Sequence, residues 1–312
     1  DSITLQPGEQ KVIRQVAAIS NAHRWNLDDP YLYTLVSMIK DSKGKTIDQE
    51  ETETGIRSIS WPVHSLKDSL GHPTSRQFLL NGKAIFINGT CDYEHLFGGS
   101  HAFTPEQIRS RVKMIRQAGF NAFREAHQPH NLLFQKLFDE QGMLFWSQFS
   151  AHIWYDTKAF RESFKKHLIQ YIKERRNSPS VILWGLQNES VLPKDFAEEC
   201  TAIIKQLDPT AIDQRAVTTC NGGEGTDWNV IQNWSGTYGG SAANYGNELK
   251  RDDQLLNGEY GAWRTLGLHE DSALAASPSH DKHVYSEEAF CHLLGMKARL
   301  AEQVKDSVCG HF

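Results

Sequence analysis

The sequence predicts an α/β protein with a parallel sheet, preceded by a short segment of β structure. From about residue 78 onward, short apolar runs alternate with stretches of helical periodicity, which is typical of repeated strand–helix units. Residues 181–186 are almost wholly apolar, as a parallel strand covered on both faces requires. Residues 1–60 instead alternate apolar and polar side chains, which is the pattern of half-buried antiparallel strands.

The β segment contains two strand candidates and a turn. Residues 11–16 and 31–39 alternate with period two, and residues 40–44 have the composition of a hairpin turn. We expect part of an antiparallel sandwich with three or four strands, which is too few to close a two-sheet fold alone. The predicted domains are therefore residues 1–60, a partial sandwich, and residues 61–312.

The second region opens with an Asn81-Gly82 hairpin signal and then repeats strand and helix. Its first helix begins with a capping box at Thr104, has Pro105 at the first helical position and ends at Gly119. The other predicted helices lie near 131–141, 157–176 and 194–207 and from residue 286 onward. The predicted strands lie near 85–87, 120–124, 143–146, 181–186, 215–220, 229–234 and 254–260. These strands and a terminal fragment favour a (β/α)8 barrel over an open nucleotide-binding sheet, because no Gly-x-Gly-x-x-Gly follows the first strand.

Composition excludes several classes of function. The 312 residues include 33 basic and 38 acidic side chains without a basic stripe, so we expect no nucleic-acid partner. The apolar runs are too short to span a bilayer, so we expect no membrane partner either. No signal peptide is visible, and the localisation, cytoplasmic or exported, stays open. The 5 cysteines are scattered without Cys-x-x-Cys spacing, which supports neither a disulfide framework nor a structural zinc site.

Polar residues follow four of the predicted strands, and the carboxyl ends of barrel strands are where the chemistry of this architecture lies. The four segments are residues 92–95, 124–129, 187–189 and 258–261. Glu189 ends the fourth strand and Glu259 the seventh, so they face each other across the barrel mouth. Two carboxyl groups about 5 Å apart suit a retaining glycosidase, and a wider gap suits inversion. Either glutamate alone fits a loop residue or a helix cap, but four polar strand ends together favour a catalytic site.

The same segments resemble glycoside hydrolase family 2. Residues 178–189 (Ser-Pro-Ser-Val-Ile-Leu-Trp-Gly-Leu-Gln-Asn-Glu) are similar to the acid/base strand of that family. Residues 124–129 resemble its Arg-x-x-His-x-Pro motif, and residues 258–261 resemble its nucleophile strand. Residues 25–33 and 55–57 resemble a strand and the exit of its immunoglobulin-like domain. The family contains β-galactosidases, β-glucuronidases and β-mannosidases, so the resemblance implies a TIM barrel preceded by part of an immunoglobulin-like β-sandwich.

The resemblance implies a role for each matching residue. Glu189 would be the acid/base and Glu259 the nucleophile, and Asn188 would hydrogen-bond the 2-hydroxyl of the sugar. Glu259 would have to stay ionised while Glu189 is protonated, so their surroundings should differ. Arg124 beside Glu259 would favour the anion.

The remaining expected contacts are to the sugar and to the nucleophile. Arg124 and His127 would position the nucleophile and the ring hydroxyls, and His95, at the end of the first strand, would do likewise. Trp234 and Tyr238 would lie in the loop after the sixth strand, where the family has aromatic residues beside the nucleophile.

Three positions depart from the family pattern. Family members commonly have tyrosine where Trp234 stands, so the hydrogen bond of that tyrosine to the nucleophile is not assured here. Ser147-Gln148 stands where many members have Asp-Glu, which does not support the magnesium site of some β-galactosidases. Tyr93 replaces a frequent histidine. We therefore expect no metal and no other cofactor.

The leading hypothesis is a retaining exo-β-glycosidase that hydrolyses terminal β-galactosides, with a carbohydrate as its partner. The alternatives are β-glucuronidase or β-mannosidase specificity and a non-catalytic carbohydrate-binding protein on the same barrel. A metal-dependent hydrolase is the third class, since His127 and His130 have the spacing of possible metal ligands. Against it, no His-x-His follows the first strand, as a metal-dependent hydrolase barrel would need. The full-length protein is a possible homo-oligomer.

The resemblance also predicts that this sequence is a piece of a larger enzyme. Residue 1 would lie partway through the immunoglobulin-like domain, and residues 308–312 would open a truncated eighth strand. An unclosed barrel leaves a parallel strand edge unpaired. We therefore expect the isolated chain to aggregate and to be poorly active.

Overall fold

A sheet of eight strands organises the second part of the chain. The structure, a computed structural model, describes residues 2–64, 66–72, 74–94, 102–237, 240–251, 254–261 and 287–312. The strands in chain order are β1 (Tyr33–Lys40), β2 (Thr46–Thr54), β3 (Ile59–Ser60), β4 (Phe78–Leu80), β5 (Lys83–Ile85), β6 (Ile87–Asp92), β7 (Ala122–Glu125), β8 (Leu144–Gln148), β9 (Val181–Asn188), β10 (Ala216–Cys220), β11 (Trp228–Val230), β12 (Leu256–Asn257) and β13 (Gly310–His311). The α-helices are α1 (Pro105–Gln117), α2 (Leu132–Gln141), α3 (Lys158–Arg175), α4 (Lys194–Leu207), α5 (Tyr245–Leu249) and α6 (Glu287–Glu302).

The eight strands β6 to β13 form a parallel ring, which confirms the predicted (β/α)8 barrel. Strands β6 to β11 follow one another in sequence order, and β13 lies between β12 and β6. An isolated parallel bridge from Ile231 to Asn257 joins β11 to β12. The expectation of an unpaired edge at the eighth strand is wrong. Strand β13 is only two residues long, but Gly310 pairs with both Ile87 and Leu256.

Helices α1 to α4 and α6 form where the sequence predicts them, α5 was not predicted, and the ends of α1 and α2 are fixed by local caps. The Thr104 hydroxyl accepts a hydrogen bond from the backbone N–H of Gln107, whose side chain accepts one from the N–H of Thr104. Helix α2 ends at Gly142, which has a positive φ of 67°. A Cβ atom at Gly142 would lie 2.3 Å from the carbonyl oxygen of Leu27, so this position also needs the missing side chain.

Two apolar layers hold the barrel. One lies between the helices and the outer face of the sheet and includes Val112, Leu168 and Phe196. The other fills the barrel and its lower end, where the antiparallel sheet β3–β4–β5 and its Asn81-Gly82 turn pack beneath the strands. It includes the fully buried indole rings of Trp25, Trp61 and Trp146.

The N-terminal segment is only partly as predicted. Strands β1 and β2 form the expected antiparallel hairpin, with the turn at Asp41. The expected strand at residues 11–16 is wrong, because this stretch is exposed and has no strand assignment or pairing neighbour. Alternation of apolar and polar residues predicts a strand only where a partner strand exists to accept its backbone hydrogen bonds. The described residues of this segment therefore hold two paired strands, where three or four were expected.

Trp25 and Arg57 are among the side chains that attach this segment to the barrel. The indole N–H of Trp25 donates to the Asp139 carbonyl over 2.8 Å. The Arg57 guanidinium donates to the Pro179 carbonyl over 2.9 Å and to the Val181 carbonyl over 2.7 Å. Within the described ranges, no helix combines the length and the apolar character needed to cross a bilayer.

Candidate active site

Arg124 lies at the centre of the carboxyl end of the barrel. It is the third residue of β7, it is fully buried, and its guanidinium lies 4.4 Å from the centroid of the Trp146 ring. All five of its N–H groups have an acceptor. Nε and Nη2 donate to Gln148 Oε1, over 2.9 Å and 2.7 Å, and Nη2 also donates to Asn188 Oδ1 over 2.7 Å. A fully engaged guanidinium fixes the position of every group that it contacts.

Glu259, two residues after the end of β12, is held by the remaining Arg124 donors. Arg124 Nη1 donates to Glu259 Oε1 over 2.7 Å and to the carbonyl of Gly258 over 2.8 Å. The Glu259 carbonyl accepts from the backbone N–H of Asn233 over 2.9 Å. Burial raises the pKa of Glu259 above its ordinary value, and Arg124 opposes that rise. The predicted pairing of Arg124 with this carboxylate is present in the structure.

His127 is the second contact of the Glu259 carboxylate. Its Nε2 lies 3.2 Å from Glu259 Oε1, and its Nδ1 lies 3.4 Å from Arg124 Nη2. Burial and the charge of Arg124 lower the pKa of His127 to about 3, so the imidazole is neutral at physiological pH. An ionised carboxylate only accepts and a guanidinium only donates. The neutral tautomer that suits both neighbours carries its hydrogen on Nε2 and donates it to Glu259.

Asn188, the last residue of β9, presents a free amide N–H. Its Oδ1 accepts from Arg124 Nη2 and, over 3.2 Å, from Gln232 Nε2. Because guanidinium only donates, the oxygen of the amide must face Arg124, which fixes the side-chain orientation. The Nδ2 atom is buried and has no hydrogen-bond partner among the residues that the structure describes. A buried donor without a partner is costly, so this atom is suited to an acceptor on a ligand.

Glu189 differs from Glu259 in its surroundings. Its side chain is 37% exposed, against 8% for Glu259. Its backbone has a positive φ of 44°, which is uncommon for a residue other than glycine and is associated with functional positions. Asn221 Nδ2 donates to Glu189 Oε1 over 3.4 Å, and His152 Nδ1 lies 3.7 Å from Oε2. One carboxyl group is thus buried beside a cation, and the other opens to solvent.

Of the three remaining predicted site residues, Trp234, His95 and Tyr238, only Trp234 lies among the described residues. Trp234 lies near this cluster, but its indole N–H donates to Gln232 Oε1 over 2.9 Å. An indole has only that one donor, so Trp234 supports Gln232, which in turn holds Asn188. His95 and Tyr238 lie outside the described residues. Tyr93 stacks edge-on against His127 at 5.2 Å between centroids, and burial raises the pKa of its phenol to about 12.

The structure adds residues that the strand-end argument did not assign to the site. Gln148 was noted only as a departure from the family pattern, but it accepts two hydrogen bonds from Arg124. Its backbone N–H donates to Glu125 Oε2 over 2.9 Å, and the carboxylate of Glu125 also accepts from Ser147 Oγ over 3.0 Å. Gln148 and Glu125 both stand at the ends of strands, and that position was the available signal. His152 and Gln232 lie in loops, where the sequence alone carries no such signal.

The described residues contain no group of three or more His, Cys, Asp or Glu side chains arranged to hold a metal ion. The two ring nitrogens of His130 face backbone carbonyl oxygens, those of Gln128 at 2.9 Å and Asp92 at 3.1 Å. His130 therefore serves to hold loops together at the end of β6.

The chemistry of the site is that of a carboxylate pair in unlike environments. A buried carboxylate held by a cation is oriented for nucleophilic attack, and a more exposed carboxyl group can exchange a proton with solvent. The buried Asn188 Nδ2 atom is available as a hydrogen-bond donor to a ligand.

Two family models and several known proteins match this chain. Residues 73–270 match the family model described as glycosyl hydrolases family 2, TIM barrel domain, and residues 1–57 match the model described as glycosyl hydrolases family 2. A β-glucuronidase of Bacteroides fragilis is 27% identical over 95% of this chain and 44% of its own length. A β-galactosidase of Psychromonas ingrahamii is 28% identical over 56% of this chain and 16% of its own length.

Solved structures show the same fold. The crystal structure of Parabacteroides merdae β-glucuronidase superposes with a TM-score of 0.76 and 21% identity, over 95% of this chain and 40% of that one. The chain thus spans less than half the length of each of these relatives. Because the barrel model alone matches residues 73–270 of the 312, the chain belongs to glycoside hydrolase family 2.

Proposed function

We propose that this chain carries the catalytic site of a retaining exo-β-glycosidase that removes terminal β-galactosyl groups by double displacement. Glu259 is the nucleophile and Glu189 the acid/base. The observation that carries the proposal is the Glu259 carboxylate, buried and held by Arg124 at 2.7 Å and His127 at 3.2 Å, with the more exposed Glu189 following β9 at the same end of the barrel. This is the division of roles that the two steps of retention require.

In the first step, the Glu259 carboxylate attacks the anomeric carbon and the bond to the leaving oxygen breaks. Glu189 gives its proton to that oxygen, so the leaving group departs as a neutral alcohol and Glu259 becomes a glycosyl ester. Arg124 and His127 hold the attacking carboxylate in place through both steps. His127 stays neutral, and thus it donates one hydrogen bond without adding a charge.

In the second step, water gives a proton to Glu189 and attacks the anomeric carbon. The ester bond to Glu259 breaks, the sugar leaves with its original configuration, and both carboxyl groups return to their starting states. The free Nδ2–H of Asn188 donates to the 2-hydroxyl of the sugar, and its oxygen is already occupied by Arg124 and Gln232.

A β-glucuronide is the second candidate substrate. The β-glucuronidase relative aligns with 95% of this chain, whereas the β-galactosidase relative aligns with 56%. A panel of aryl β-glycosides that differ only in the sugar separates the two candidates. Faster turnover of the galactoside supports the first, and faster turnover of the glucuronide supports the second.

Trapping of the glycosyl ester tests the catalytic roles. An activated 2-deoxy-2-fluoro glycoside should leave a covalent sugar on the peptide that contains Glu259, detected by mass spectrometry. Glu259→Gln should abolish both the adduct and turnover, and Glu199→Gln on the exposed face of α4 serves as the matched control. Turnover retained in Glu259→Gln, or sugar binding without any hydrolysis by the wild-type protein, would overturn the proposal.

A further inference from the structure

The loop after β8 exposes two large aromatic side chains beside the candidate site. Trp154 is 63% exposed and Tyr155 is 70% exposed. Aromatic side chains of this size contribute most when their ring faces are covered. Val191, which follows Glu189 by two residues, is also 63% exposed, so the loops after β8 and β9 together present an apolar surface.

Backbone hydrogen bonds fix this loop against the segment that carries Glu189. The N–H of Asn188 donates to the Ser150 carbonyl over 3.0 Å, and the N–H of His152 donates back to the Asn188 carbonyl over 2.9 Å. The N–H of Val191 donates to the Ile153 carbonyl over 3.0 Å. The two chain segments thus run side by side beyond the ends of their strands. Trp154 directly follows Ile153, the last residue of its segment in this series of backbone hydrogen bonds.

His152 connects the aromatic side chains to the carboxyl group. Its Nδ1 lies 3.7 Å from Glu189 Oε2, and its ring centroid lies 5.9 Å from that of Trp154. The Trp154 ring is therefore one imidazole away from the carboxyl group that protonates the leaving oxygen. Whatever is attached to that oxygen must lie on the Glu189 side of the scissile bond, since the proton is delivered there.

We infer that Trp154, with Tyr155 beside it, forms a stacking platform for a ring in the leaving group. The inference rests on the proposed function and deepens it. The substrate class is a β-glycoside whose leaving group presents a flat ring face next to the glycosidic oxygen, either a second sugar or an aryl group. Stacking on such a face covers the exposed indole without requiring a charged or hydrogen-bonding partner.

Reactivation of the trapped glycosyl-enzyme tests this platform, because a ring acceptor must occupy the leaving-group side before it attacks. In the wild-type protein, a β-glucoside acceptor and an aryl β-glucoside acceptor should each accelerate release of the fluorosugar over water alone. Trp154→Ala should reduce that acceleration about 3- to 10-fold, the range of one aromatic contact. Release by water and by methanol, which have no ring, should not change.

Three comparisons complete the experiment. Trp154→Phe should restore most of the acceleration, Tyr155→Ala should reduce it less than Trp154→Ala does, and Met114→Ala on the exposed face of α1 should have no effect. Acceleration lost only for the sugar acceptor, or only for the aryl acceptor, assigns the platform to that class of ring. Equal acceleration in Trp154→Ala and wild type overturns the platform and leaves the catalytic roles intact. Failure of the wild-type protein to form any adduct overturns the proposed function and the platform with it.

Discussion

Replacing Arg124 with methionine removes the cation that holds the Glu259 carboxylate and is expected to lower the free energy of unfolding by about 3–5 kcal/mol. The value follows from the burial of both partners and from their distance of 2.7 Å. The carboxylate would remain buried without its counter-charge, and the amide oxygens of Gln148 and Asn188 would each lose an Arg124 donor. Methionine fills much of the space, so the loss of volume adds little.

A double-mutant cycle with Glu259→Gln isolates the pair. The arginine has other acceptors in Gln148, Asn188 and the Gly258 carbonyl, so Glu259→Gln alone should cost less than Arg124→Met. In the double variant no buried charge is left unpaired. It should therefore be more stable than the sum of the two single changes predicts, by about 1–3 kcal/mol.

Urea denaturation of the four proteins, followed by tryptophan fluorescence and by circular dichroism, gives the required free energies. Arg124→Met should also raise the pKa of Glu259 further, so the acidic limb of kcat/KM should move about 1–3 pH units higher. Additivity of the two substitutions within about 0.5 kcal/mol, together with an unmoved acidic limb, would refute the reasoning that Arg124 stabilises the ionised Glu259.

The remaining predictions concern the frame of the barrel. Gly142→Ala should cost clearly more than Gly119→Ala, as measured by urea midpoints, because only the first Cβ would meet a backbone atom, 2.3 Å away, while the second meets open space. Burial lowers the pKa of His311 to about 3, so stability that is present above about pH 6.5 should be lost as the pH falls towards 3, by about 1.4 kcal/mol per unit. In His311→Gln the slope should be smaller by that amount, with the contribution of His127 retained, whereas an unchanged slope in urea titrations would contradict the prediction. Burial lowers the pKa of Lys297 to about 8, so stability should rise between pH 8 and about 10.5, and Lys297→Met should flatten that rise.

The parts of the fold that sequence analysis predicted are those with a local cause. The capping box at Thr104 fixes the start of α1 through two hydrogen bonds within four residues. The apolar run of β9 requires burial on both faces, and the strand is buried along its whole length. The Asn81-Gly82 turn is likewise decided by its own two residues.

The parts that could not be predicted depend on distant partners. The period-two pattern of residues 11–16 finds no neighbouring strand within the described part of the chain. The predicted strand at 254–260 shrinks to β12, because only Leu256 and Asn257 find pairing partners in β13. In the site, Arg124 and the two glutamates follow from strand ends, whereas His152 acquires its contact with Glu189 through a loop whose course no periodicity describes.

The strands of the barrel differ in length, and therefore in how firmly backbone hydrogen bonds hold them. Strand β9 has eight residues and is paired along most of its length, whereas β12 and β13 have two residues each. Asn188 and Glu189 therefore lie at the end of a long, well-paired strand. Glu259 follows a strand that is held to its neighbours by few backbone hydrogen bonds. The Arg124 side chain on β7 donates both to the Gly258 carbonyl and to Glu259, and so links the segment after β12 to the rest of the barrel. Removal of the Arg124 side chain should therefore increase the hydrogen-exchange rates of the backbone amides around Glu259 and leave the amides of β9 slow to exchange. Where the sheet has the fewest strand hydrogen bonds, the position of Glu259 depends on this one side chain.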